Sequence, residues 1–155
     1  MDNSRTDLVD RWPAAAPFVI AGTASVIAGG LIAAVTAHDP TRHGVWTVAY
    51  LVLVGGVAQL ALGIGQAIFT REPPGQTTTW VEFIGFNAGN AGVIAGTLTG
   101  QTWLVDAGSV LLAGALILFL RSVLGVPRTV PVLVYQVLIV FVLGSIPVGM
   151  LLART

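Results

Sequence analysis

WVEFIGFNAGNAGVIAGTLTG, Trp80 to Gly100, is long enough to cross a bilayer yet carries Glu82, Asn87 and Asn90. Glycine stands in it at 85, 89, 92, 96 and 100. In hydrocarbon, a polar side chain or a bared backbone group needs a protein partner. The stretch therefore reads as the central helix of a small membrane bundle, wrapped by its neighbours.

The rest of the chain supplies those neighbours. Of 155 residues, 55% are hydrophobic and 9% charged, against about a quarter charged in an ordinary soluble domain. Apolar runs near the roughly 18-residue length of a transmembrane helix recur several times. The expected fold is an all-α, single-domain bundle of five transmembrane helices with short loops, spanning about 14–37, 44–69, 79–100, 103–120 and 130–152. Residues 1–12 form a polar tail. Pro13 and Pro17 suit the first turn of a helix, where a missing N–H matters little. Trp46 and Tyr50 sit near the start of the second span, as interfacial aromatics do. The break after that span is Arg71-Glu72-Pro73-Pro74-Gly75, a turn that no helix survives. Pro147 should bend the last span and free the carbonyl of Leu143.

Small residues recur every fourth position on several spans. Ala21, Ser25, Gly29, Ala33 and Ala37 form one ridge, Gly55, Gly63 and Ala67 a second with Gln59 in its gap, and Ser145, Gly149 and Ala153 a third. Gln66 lies close to the same face as Gln59. On the central stretch, Ala88, Gly92, Gly96 and Gly100 form one row, and Gly85 and Gly89 another. Such ridges let helices lie close together.

Five spans put the termini on opposite sides. Arg5, Arg11, Arg71, Arg121 and Arg128 then share one side, and Arg42 and Arg154 the other. The excess of positive charge places the N-terminus in the cytoplasm and the C-terminus outside. A competing reading takes Arg5, Arg11 and the apolar run ending Val35-Thr36-Ala37 as a cleaved signal peptide, but that run is long for one. All seven basic residues are arginine. With so much Ala, Gly and Val, this points to a GC-rich bacterial genome and to the cell membrane.

Composition excludes much chemistry. There is no cysteine, hence no disulfide, thiolate metal site or Cys nucleophile. Without lysine there is no Schiff base. A net charge of zero gives no case for nucleic acid. No GxSxG, P-loop or dinucleotide fingerprint occurs, so no catalytic residue is assigned, and a non-enzymatic role is favoured.

The polar residues within the spans are the remaining candidates. Gln59, Asn87, Asn90 and Gln136 lie near mid-depth and form a candidate ligand site for a neutral solute or a quinone head group; the plainer reading is amides bonding across helices. Glu82 and Asp106 are candidates for proton coupling, or else for ion pairing: Glu82 with Arg71 or Arg121, and Asp106 with Arg42 or His43, or as a cap of the fourth span. His38 and His43 flank a short loop with Asp39. They are the candidates for a haem or quinone site, although no metal-ligand spacing supports a metal.

Three functions follow. The first is a non-enzymatic accessory subunit or homo-oligomer acting through helix packing within the lipid bilayer. The second is a small-solute transporter or binding module using the mid-membrane amides. The third is a haem- or quinone-binding redox subunit. No cofactor is required by the first two.

Overall fold

The computed structural model describes the backbone of residues 3–152 and the side chains of residues 10–151; Ala153 and Arg154, and the side chain of Arg5, lie outside the described residues. Five long helices follow one another: α1 (Asn3–Thr36), α2 (Arg42–Phe69), α3 (Gln76–Thr99), α4 (Thr102–Leu124) and α5 (Val130–Leu152). Residues Leu51–Ala58 of α2 are π-helical. Among the described residues, four helices are both long and apolar enough to cross a membrane: α1, α2, α4 and α5. The chain is a multi-pass integral membrane protein built as a helical bundle. The expected count of five spans becomes four apolar spans plus α3. That helix has 24 residues, about 36 Å at 1.5 Å per residue, but its Glu, Asn and Gln side chains keep it out of the apolar set.

Helix ends follow local chemistry. Thr41 caps α2, its hydroxyl accepting from the Gly44 N–H at 3.0 Å. Gly100 ends α3 in the left-handed region (φ 69°), and the Gln101 N–H donates back to the Gly96 carbonyl at 2.9 Å. The turn is so short that α3 and α4 must form a hairpin. The polar tail proves helical from Asn3, which places Pro13 and Pro17 inside α1 and not in its first turn. Pro147 lies within a continuous α5. The fourth helix runs to Leu124, four residues beyond its expected end, with Arg121 facing outward from its last turn.

The bundle is two close hairpins, α1 with α2 and α3 with α4, with α5 laid along α4 and the second half of α2. Close approach depends on glycine where backbones meet. A Cβ on Gly108 would stand 2.6 Å from the Gly89 carbonyl oxygen and 2.7 Å from the Val93 nitrogen. Neither backbone atom can yield, so α3 and α4 cross at a contact no side chain could enter. Between α1 and α2, a Cβ on Gly22 would stand 2.9 Å from the Leu60 side chain and 3.1 Å from the Gly56 carbonyl oxygen.

The core lies toward the end that holds the N-terminus. Phe18 of α1 is fully buried, its ring edge-on to Phe83 at 5.6 Å and to Phe119 at 5.2 Å. Tyr135 of α5 covers Gly65, and its hydroxyl donates to the Leu62 carbonyl at 2.8 Å. Arg11 reaches from α1 to the end of α2 and donates to the carbonyls of Ala67, Thr70 and Arg71 at 3.1, 2.8 and 3.0 Å. These include final-turn carbonyls that have no partner within the helix.

The expectation that α3 is encircled needs correction. Its glycine face packs on α4, but Val81, Ile84, Ala88, Ala91, Ala95 and Leu98 face outward. Alanine, valine and leucine tolerate lipid, so two neighbours are enough: α4 covers the glycine face and α2 meets Glu82 and Asn90. Asn90 is buried, and Asn87 is half-buried with its amide NH2 bonded to its own helix.

Candidate functional site

The polar side chains gather on the seam between α2 and α3, and the π-helical stretch puts them there. An α-helix advances about 100° per residue, so the sixteen steps from Tyr50 to Gln66 would leave them about 160° apart, on opposite faces. A π-turn takes about 4.4 residues, or about 82° each. Across Leu51–Ala58 the phase therefore falls well behind that of an uninterrupted α-helix. Tyr50, Gln59 and Gln66 come to share one face, and both ends of that face reach α3. The Tyr50 hydroxyl donates to Asn90 Oδ1 at 2.8 Å. Gln66 Nε2 donates to both carboxylate oxygens of Glu82, each at 3.0 Å, and lies 3.4 Å from the Ser122 hydroxyl of α4.

Gln59 lies between these two anchor points. It has no exposed surface, and neither its Nε2 nor its Oε1 has a hydrogen-bond partner. Among the described residues, the other buried side-chain polar atoms without a partner are Gln66 Oε1 and Asn90 Nδ2. All four atoms belong to this one seam. They comprise two amide NH2 groups and two carbonyl oxygens, the complement of a small molecule that both donates and accepts. A buried polar atom left unpaired costs about 1–3 kcal/mol, so their concentration in one place calls for a physical reason.

The other candidates sit as follows. Asn87 donates to the Phe83 carbonyl of its own helix at 2.9 Å. Gln136 donates to the Val123 carbonyl at 3.1 Å, tying α5 to α4. Each thus uses its amide NH2 away from the seam. Glu82 is fully buried and meets Gln66; Arg71 and Arg121 face outward. Among the described residues no ion pair to Glu82 is found. Asp106 is half-buried in the second turn of α4 and has interactions of its own. His38 and His43 are exposed, His38 just after α1 and His43 in the first turn of α2.

Sequence reasoning puts Gln66 near the stripe of Gln59 but gives it no role, and reads Tyr50 as an interfacial aromatic. The π-helix is the missing element. The paired glycines Gly55-Gly56, set among valines in LVLVGGVA, are the available hint, since both residue types weaken an α-helix.

Beyond the Tyr50–Asn90 bond, toward the 37–41 loop, a cleft of about 790 Å³ opens between α2, α3, α4 and α5. Tyr50 and Trp46 stand in its wall, their rings 5.1 Å apart. No family model, curated protein or solved structure matches the chain.

Proposed function

We propose that this membrane protein is a transport or binding module for a small neutral polar solute, held between α2 and α3 by the carboxamides of Gln59, Gln66 and Asn90. The observation that carries this reading is the set of four unpaired amide atoms on one seam. A protein that only packs helices gains nothing from burying them. The seam is closed in this conformation, and a solute or water entering between α2 and α3 would supply the missing partners. Glu82, bonded to Gln66 and without an ion-pair partner among the described residues, is the group suited to couple a proton to that movement. The arginines suggest a cytoplasmic membrane, bacterial on composition, with the N-terminus inside: Arg11, Arg71, Arg121 and Arg128 lie at one end of the bundle and Arg42 at the other.

The test is permeability of proteoliposomes to urea, formamide and glycerol, followed by stopped-flow light scattering. The wild type should pass at least one of them well above empty vesicles. Gln59→Met and Asn90→Leu should return it to background, while outward-facing Gly114→Ala should not. Wild-type vesicles no leakier than lipid alone for any of these solutes would sink the proposal.

A second reading, an accessory subunit or homo-oligomer, draws support from α5. Gly144 has open space where a Cβ would go, a surface another helix could approach. Gly89 cannot report on such assembly, because it is already engaged with Gly108 inside the chain. Gly144→Leu is the better probe: loss of a crosslinked dimer would favour this reading, and an unchanged monomer would remove it.

A further inference from the structure

The cleft is a separate site with its own polarity. Helix α5 lies against α2 along Gln59–Phe69 and parts from it along Arg42–Ala58. The gap between two lipid-facing helices opens sideways to the bilayer. Its floor is formed by Val54, Leu112 and Val142. Its mouth carries Arg42, His43 and Thr102. Two helices begin at that mouth, α2 at Arg42 and α4 at Thr102, and each brings the positive end of its dipole there; Thr41 takes the Gly44 N–H of α2. From Arg42 to Val54 is twelve residues, at most about 18 Å, while one leaflet of hydrocarbon is about 15 Å deep.

We propose that the cleft holds one anionic phospholipid, its phosphate at Arg42 and His43 and one acyl chain running down to Val54, Leu112 and Val142. Charge at the rim and apolar residues at the floor match the order of a lipid in its own leaflet. The depth matches one chain, and the sideways opening gives entry without leaving the membrane. A neutral head group would leave the cation and the two helix ends unanswered.

The experiment is native mass spectrometry of the full-length protein, delipidated in detergent and offered equal amounts of phosphatidylglycerol and phosphatidylcholine. Wild type should retain one phosphatidylglycerol with about fivefold preference, the scale expected of one basic residue at a membrane surface. Arg42→Gln with His43→Gln should bring the ratio near one, and Arg42→Lys should keep it. Ile146→Trp, which fills the cleft from α5, should lower retention of both lipids. Equal retention of the two lipids by wild type overturns the proposal, as does an unchanged ratio in the double variant or full retention by Ile146→Trp. Oleate or a quinone displacing phosphatidylglycerol at equal concentration overturns the phospholipid as occupant. That competition uses wild type alone, so it decides the matter even where a variant fails to fold.

Discussion

Replacing Gln59 by methionine should make this protein more stable. Gln59 has no exposed surface, and neither its Nε2 nor its Oε1 is hydrogen-bonded. Each such atom costs about 1–3 kcal/mol relative to a paired one. In the unfolded chain within a micelle the amide also finds partners, which is why a membrane hydrogen bond is worth only about 0.6–2 kcal/mol net; the unpaired amide of the folded state loses those partners and gains none. Methionine has the same unbranched length, and a swap that conserves volume usually costs less than about 1.5 kcal/mol. The balance is a gain of about 1–3 kcal/mol. At about 2–4 °C per kcal/mol for a chain of this size, the thermal midpoint should rise by several degrees. Circular dichroism melts in detergent, with SDS titration as a second probe, would measure it. A methionine variant less stable than wild type by about 1 kcal/mol or more, on the scale of one lost hydrogen bond, would refute the reasoning, because it would mean the amide is satisfied. The same variant should lose solute permeability, so stability and function would move in opposite directions, as they do at sites kept for function.

Other expectations follow from neighbouring contacts. Gly108→Ala forces a Cβ against the Gly89 carbonyl and should destabilise by about 1–3 kcal/mol, whereas Gly114→Ala, with open space, should stay within about 0.5 kcal/mol of wild type; the same melts compare them. Gln66→Leu removes the donor that bonds both oxygens of Glu82 and should cost about 2–4 kcal/mol. Adding Glu82→Gln should recover part of that loss, which a double-mutant cycle would read. Arg11→Gln removes the bonds to the Ala67, Thr70 and Arg71 carbonyls. Hydrogen exchange should then quicken in the last turn of α2 while the α3–α4 hairpin stays protected.

Much of the architecture can be read from residue order. The apolar runs form α1, α2, α4 and α5, and Pro73-Pro74 and Gly100 end helices where turn chemistry says they should. The boundaries that slip do so where a polar residue can remain helical at the membrane edge, as at Asn3 and Arg121. The site is less legible. Depth alone singles out Gln59 and Asn90, and both lie on the seam. Asn87 and Gln136 have the same depth but other partners, because depth says nothing about which way a side chain points. Glu82, which the sequence pairs with an arginine, meets Gln66 instead, since Arg71 and Arg121 face outward and Arg11 is taken up by carbonyls at the end of α2.

The chain alone determined that these segments are helices and where the turns between them fall, because a helix in hydrocarbon satisfies its backbone within four or five residues and its burial depends on its own side chains. Folding decided which faces meet. Glycine pairs such as Gly89 and Gly108 select a neighbour only once two backbones are brought together. The π-helical turns of α2 rotate everything beyond them by an angle that no hydropathy pattern records, and that rotation is what places Tyr50, Gln59 and Gln66 on one seam.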